Sequence, residues 1–160
     1  MAARPETGKA RIRAGARENL LTKSAARAIL APMDQPVRKA RVLIAEDEAL
    51  SALEISEALE ALGHEVIGVT DSGAAVLRQA IEEEPDVVIL DIHLKSFTDG
   101  IDAAMKLRLL KPIPVIFITA YSDPEIRSRA WGVRPVAFFI KPIETFMLAR
   151  EIDKVMSAKT

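Results

Sequence analysis

From Arg41 onward, five short apolar runs alternate with segments whose apolar residues recur at helical spacing. The runs are rich in Val and Ile and predict strands. They cover residues 41–45, 64–70, 86–90, 114–119 and 136–140. Helices are predicted over residues 49–62 and 74–83, the second with Leu77, Ala80 and Ile81 facing inward. Further helices are predicted around Ile101, Ala104 and Met105 on one face, after a capping box at Ser122–Glu125, and around Leu148, Ile152 and Val155. The chain therefore predicts a repeated strand–helix unit, (βα)5.

Strands that are apolar throughout are buried on both faces, which is typical of a parallel sheet covered by helices on each side. Right-handed crossovers leave few possible topologies for such a sheet. The common order for five strands is 2-1-3-4-5. We therefore predict an α/β fold, a flavodoxin-like doubly wound parallel sheet with that strand order.

The distribution of charge divides the chain near Pro36 to Arg41. Residues 1–40 carry nine Lys and Arg against three Asp and Glu, whereas residues 41–160 carry thirteen against twenty. We predict a basic N-terminal extension over residues 1–40, disordered or partly helical, and one folded domain over residues 41–157. For the extension, three interpretations stay open: disorder, a start codon assigned too early, or a helix over about residues 17–31 that docks on a protein surface.

Composition excludes several classes of protein. The chain has no cysteine, so neither a disulfide framework nor a thiolate metal site can form. It contains no run of eighteen apolar residues and no secretory signal pattern at its start. We expect a cytoplasmic protein, without a membrane partner and without a recognisable motif for specific nucleic-acid binding.

Polar residues stand where the predicted strands end. Strand one is followed by Glu46 and Asp47, strand three by Asp91, strand four ends in Thr119, and strand five is followed by Lys141. In an open parallel sheet the carboxyl ends of the strands share one rim, which is where ligands bind. Carboxylates suit Mg2+, and the metal together with a lysine and a hydroxyl can stabilise a transferring phosphoryl group. The sequence therefore predicts phosphoryl transfer to a carboxylate at this rim.

Four fragments in this order resemble the receiver domains of bacterial response regulators: Val42–Glu48, Asp86–Asp91, Val115–Ala120 and Phe139–Pro142. The resemblance covers about residues 41–157. It implies a phosphoacceptor in a two-component system or phosphorelay, phosphorylated by a histidine kinase or a histidine phosphotransfer protein. It also implies Mg2+ as the cofactor and no catalysis other than the domain's own phosphorylation and slow dephosphorylation.

The resemblance assigns roles to individual residues. It implies that Asp91 is the phosphoacceptor and a metal ligand, and that Lys141 pairs with the phosphoryl group. It implies that Asp47 binds Mg2+ directly, Glu46 mainly through water, and His93 through its backbone carbonyl.

The resemblance also implies how the signal leaves the site. The hydroxyl of Thr119 is expected to turn toward the phosphoryl group, and Phe138, three positions before the lysine, is expected to fill the space that this vacates. The readout surface is then the face of the fourth helix, fifth strand and fifth helix, where a downstream protein would bind. The Lys141–Pro142 peptide bond is expected to be cis, as it often is in relatives.

One segment departs from the family pattern. Residues 94–100 lack the usual Pro-Gly turn after the acceptor and are one residue longer than expected.

Three functions remain in competition. The first is a stand-alone receiver that shuttles phosphate or binds a partner. The second is a haloacid-dehalogenase-like phosphatase. His93 argues against it, because those enzymes need a second acid two residues after the first. The third is a degenerate receiver that acts only as a scaffold, against which we count the intact set of Asp47, Asp91, Thr119 and Lys141.

Overall fold

The computed structural model describes residues 38–95, 99–121 and 123–159. Its strands are β1 (Arg41–Ala45), β2 (Glu65–Thr70), β3 (Val87–Asp91), β4 (Val115–Thr119) and β5 (Ala137–Ile140). Its helices are α1 (Ala49–Ala61), α2 (Gly73–Glu83), α3 (Gly100–Leu110), α4 (Pro124–Gly132) and α5 (Thr145–Ala158). Most of the predicted basic extension, including the helix expected over residues 17–31, lies outside the described residues.

The strands form one parallel sheet in the order β2-β1-β3-β4-β5, which confirms the predicted topology. The buried strands β1, β3 and β4 lie in the middle, and the more exposed β2 and β5 lie at the edges. Strand order therefore follows burial, because a central strand is covered on both faces and an edge strand is not.

Side chains of successive strand residues point to opposite faces, so each central strand contributes to two separate cores. On one face, Val42 and Ile44 of β1 pack with buried residues of α1 and α5. On the other face, Leu43 and Ala45 pack with residues of α2, α3 and α4. The sheet is thus covered by two helices on one side and three on the other.

Local sequence signals set the helix starts that border the carboxyl ends of the strands. Ser72 accepts a hydrogen bond from the Ala75 amide at 3.2 Å, and Asp99 accepts one from the Asp102 amide at 2.8 Å. The cap of α4 is Asp123, which accepts from the amides of Glu125 and Ile126, whereas the sequence pattern placed the cap at Ser122. These caps satisfy amides that have no partner within the helix.

Two residues that helical spacing placed on inward faces are exposed. Ile81 of α2 and Met105 of α3 reach 39% and 52% exposure, whereas their neighbours Ala80 and Ala104 are fully buried. Small residues let both helices approach the sheet closely, and the larger side chains one position later then point outward. No helix among the described residues is long and apolar enough to cross a membrane.

His64, to which the sequence analysis gave no role, is buried between Gly63 and the start of β2. Its Nε2 lies 3.7 Å from Asp153 of α5, and within the described part of the chain neither ring nitrogen has a hydrogen-bond partner. Burial lowers the pKa of His64 below its ordinary value, and attraction to Asp153 only partly offsets this.

Candidate functional site

The predicted site residues meet at the carboxyl ends of the three central strands and of β5. Asp91 is the last residue of β3 and pairs with Ile118 of β4, so the following residue of β4, Thr119, lies beside it. Thr119 in turn pairs with Ile140, and the Lys141 amide donates to the Thr119 carbonyl at 2.8 Å. The strand registers thus place three predicted site residues on one rim although they are far apart in sequence.

A cluster of three carboxylates occupies this rim. One oxygen of each of Glu46, Asp47 and Asp91 can be chosen so that all three lie within 4.8 Å of one another. Glu46 and Asp91 are almost fully buried, at 2% and 5% exposure. Such close carboxylates repel each other unless positive charge compensates them.

Lys141 supplies part of that compensation. Its Nζ donates to Asp91 Oδ2 at 3.0 Å and also to Glu46 Oε2. Burial of the ammonium group opposes its charge, but the hydrogen bonds and attraction from Glu46 and Asp91 outweigh burial and raise the pKa of Lys141. The three carboxylates and the Lys141 ammonium leave a formal charge of −2. The Lys95 ammonium lies 3.8 Å from Asp47 Oδ2 but is largely exposed, so the cluster stays net negative and can accommodate a divalent cation.

The two acidic residues after β1 are held differently. Both carboxylate oxygens of Glu46 are engaged: Oε1 accepts from the Glu48 amide at 3.0 Å, and Oε2 accepts from the Ser51 hydroxyl at 2.9 Å as well as from Lys141. Within the described residues, the side chain of Asp47 accepts one hydrogen bond, from the Lys95 amide to Oδ2 at 3.1 Å. Asp47 therefore keeps an oxygen for a metal, and Glu46 is better placed to hold a water or to position Lys141.

The donor set fits Mg2+. This ion prefers oxygen ligands, retains several waters, and needs only one or two protein carboxylates. Asp47 and Asp91 can provide these. Asp91 accepts one described hydrogen bond on each oxygen, from the His93 amide and from Lys141, and so keeps a lone pair on each, whereas Glu46 accepts three. The role of the His93 carbonyl as a ligand stays a prediction.

Thr119 is fully buried and contacts two residues with aromatic rings, His93 and Tyr121, which the sequence did not predict as its partners. Its Oγ1 accepts a hydrogen bond from the Tyr121 amide at 3.2 Å and lies 3.2 Å from His93 Nδ1. The rings of His93 and Tyr121 stand 4.5 Å apart at 55°. The only available sequence signal was position, since each aromatic residue stands two places after a predicted site residue.

Gly100, the first residue of α3, lies directly against the acceptor strand. Its amide donates to the Ile92 carbonyl at 3.0 Å, and a Cβ added to it would lie 2.1 Å from the Asp91 carbonyl oxygen. Only a glycine allows this approach of helix to strand. The preceding residues 96–98, part of the loop that departs from the family pattern, lie outside the described residues.

Phe138, the predicted switch residue, is partly buried in β5 and packs against the core that includes α4. The Trp131 ring stacks on it with centroids 6.5 Å apart, and the Arg127 guanidinium lies 5.7 Å from its centroid. The Lys141–Pro142 peptide bond, which follows β5, is cis, as expected.

A family model for the response regulator receiver domain matches residues 42–153 of the chain. The chain belongs to this family, whose members are signalling domains of two-component systems.

Individual relatives agree with this assignment. The transcriptional regulatory protein PdtaR of Mycobacterium tuberculosis is 34% identical over 117 residues, which are 73% of this chain and 57% of PdtaR. The phyllosphere-induced regulator PhyR of Methylorubrum extorquens is 34% identical over 118 residues, 72% of this chain and 43% of PhyR. The chain thus spans about half the length of the curated relatives it matches.

Solved structures show the same likeness. The signal receiver domain of a modulated diguanylate cyclase from Desulfovibrio desulfuricans matches with a TM-score of 0.71 and 36% identity, covering 76% of this chain and 96% of that domain. The receiver domain of PhyR from Erythrobacter litoralis matches with a TM-score of 0.64 and 30% identity, covering 74% and 91%.

Proposed function

We propose that this chain is a phosphoacceptor receiver, phosphorylated on Asp91 by a histidine kinase or a histidine phosphotransfer protein. The observation that carries the proposal is the contact of the Lys141 ammonium with Asp91 inside a cluster of three carboxylates. An anionic phosphoryl donor needs positive charge near the acceptor. Lys141 supplies a fixed positive charge, and the clustered carboxylates would hold a divalent metal ion that supplies more.

The chemical step follows from the surroundings of Asp91. A carboxylate oxygen of Asp91 attacks the phosphorus of a phosphohistidine, a new P–O bond forms, and the P–N bond to the imidazole breaks with its electron pair leaving on nitrogen. Bound Mg2+ would neutralise charge on the phosphoryl oxygens. The His93 amide, which donates to Asp91 Oδ1 at 2.9 Å, and Lys141, which donates to Oδ2, orient the carboxylate.

Signal output would proceed through Thr119 and Phe138 to the face formed by α4, β5 and α5. This face carries exposed apolar side chains of the kind that protein interfaces use, among them Trp131, Ile140 and Phe146. Phosphorylation can shift the protein only as far as the phosphoryl group interacts differently with two conformations. The Thr119 hydroxyl provides that difference by exchanging its present partners for a phosphoryl oxygen, and a downstream protein would then bind the altered face.

The proposal is tested by incubation with acetyl phosphate and Mg2+, followed by intact-mass measurement. Wild type should gain one phosphoryl group, Asp91→Asn should gain none, and the control Asp71→Asn, which changes an exposed aspartate after β2, should label like wild type. Full labelling of Asp91→Asn would contradict the assignment. Absence of labelling in wild type would favour a scaffold, and continuous release of free phosphate would favour a phosphatase.

The output surface is tested by backbone NMR with and without beryllofluoride, a mimic of the phosphoryl group. We expect resonances across residues 123–157 to shift in addition to those around Asp47 and Asp91. Shifts confined to the surroundings of the two aspartates would refute the proposed switch.

A further inference from the structure

We propose that His93 is a positioning residue that holds the Thr119 hydroxyl away from the phosphoryl site, so that the domain rests in its inactive conformation. The inference rests on the proposed function, because it concerns the cost of the switch that phosphorylation drives. It assigns a task to the imidazole side chain, which is separate from the task predicted for the His93 backbone carbonyl.

The hydrogen-bonding capacity of Thr119 is limited. A threonine hydroxyl has one proton to donate and two lone pairs to accept with. The Tyr121 amide uses one lone pair, and His93 Nδ1 at 3.2 Å uses either the proton or the second lone pair, depending on which ring nitrogen carries hydrogen. In both cases, turning Oγ1 toward a phosphoryl group on Asp91 breaks the contact with His93.

His93 is held in place at its backbone and at its ring. Its backbone amide donates a hydrogen bond to Asp91 Oδ1, and its ring contacts the Tyr121 ring at a centroid distance of 4.5 Å. Tyr121 is itself tied to Thr119 through its amide. The three residues thus close a small ring of contacts around one hydroxyl, and tilted aromatic pairs of this kind add stability beyond simple burial.

This arrangement makes activation compete with an existing hydrogen bond. A net hydrogen bond contributes about 0.5–1.5 kcal/mol, which corresponds to about a two- to tenfold change in an equilibrium constant. His93→Phe keeps an aromatic ring beside Tyr121 but removes Nδ1. This variant should therefore bind beryllofluoride, in the presence of Mg2+, about two- to tenfold more tightly than wild type.

The decisive measurement is a double-mutant cycle of His93→Phe and Thr119→Ala, with apparent beryllofluoride affinity as the readout. If His93 acts through Thr119, the gain seen in His93→Phe disappears in the Thr119→Ala background. An equal gain in both backgrounds, or no gain in either, would overturn the proposal. Tyr121→Phe, which retains the ring and the amide, is the matched control and should bind as wild type does; a gain equal to that of His93→Phe would also overturn it.

A second readout uses the unmodified, metal-free protein. The side-chain methyl resonance of Thr119 in His93→Phe should move toward its position in wild type saturated with beryllofluoride, because the hydroxyl has been released. A methyl resonance unchanged from free wild type contradicts the proposal even if affinities change. Failure of wild type to bind beryllofluoride at all would refute the proposed function instead. The comparison of the Thr119 methyl resonance between His93→Phe and free wild type would then still report whether the His93 contact holds the Thr119 side chain, since an unchanged resonance contradicts the proposal.

Discussion

Replacing Gly100 with alanine tests how closely α3 approaches the acceptor strand. The added Cβ would lie 2.1 Å from the Asp91 carbonyl oxygen and 2.9 Å from the Asp91 carbonyl carbon and Ile92 Cα, whereas real Cβ contacts essentially never fall below 3.0 Å. Strand and helix must therefore separate by about 0.9 Å, and the opposing atoms are backbone atoms that cannot rotate away. Overpacking of this kind costs about 1–3 kcal/mol, more than alanine recovers through its helix propensity at the first position of a helix.

The assay is urea denaturation followed by circular dichroism, with labelling by acetyl phosphate measured under native conditions. Gly100→Ala should lower the free energy of unfolding by about 1–3 kcal/mol at an unchanged denaturant slope. It should also slow labelling of Asp91, because small displacements of a reacting group cost much of its rate. Gly132→Ala is the control, since no described atom apart from its chain neighbours and the nearby backbone of its own helix lies within 4 Å of its added Cβ, and it should be neutral or slightly stabilising. Wild-type stability and labelling in Gly100→Ala would refute the reasoning.

Two further predictions concern charge. Asp47→Ala should weaken Mg2+ binding much more than Glu46→Ala in titration calorimetry, because Glu46 already accepts three hydrogen bonds and Asp47, within the described residues, accepts one; equal losses would contradict the assignment of Asp47 as the direct ligand. Since the pKa of His64 is lowered in the folded state from its ordinary 6.5, the unfolded chain takes up the proton first as pH falls. The associated stability is then complete above about pH 6.5 and is lost below it. Urea denaturation at pH 7.5 and 5.0 should show a smaller loss in His64→Leu and a larger one in Asp153→Asn, and identical losses in all three proteins would exclude this role.

The strands and their order could be predicted from the sequence because burial on both faces leaves a clear signal. The runs around Val42, Ile89 and Ile116 are apolar throughout, and each is a central strand of the observed sheet. Helix faces were harder to predict, because Ile81 and Met105 satisfy helical spacing as well as the alanines beside them. Where a helix lies close to the sheet, only a small side chain fits between them. The periodicity of apolar residues does not show how close to the sheet a helix lies.

The candidate site divides in the same way. Asp91, Thr119 and Lys141 could be placed together because parallel strands end at a common rim. The contact between His93 and Thr119 could not be predicted, because it depends on how a loop folds back after β3. The buried Glu46 shows a related limit: its hydrogen bond with Ser51 requires α1 to start at a particular angle to β1, and sequence spacing alone does not give that angle.

The Lys141–Asp91 and Lys141–Glu46 contacts join residues that are 50 and 95 positions apart in the chain. Contacts of such separation form late, since long stretches of chain must be ordered before they can close. During synthesis, Asp91 leaves the ribosome long before the lysine that would prepare it for phosphate. Under the proposed chemistry, a nascent chain that ends before Lys141 therefore lacks the positive charge beside Asp91, and phosphorylation should begin only once β5 has joined the sheet.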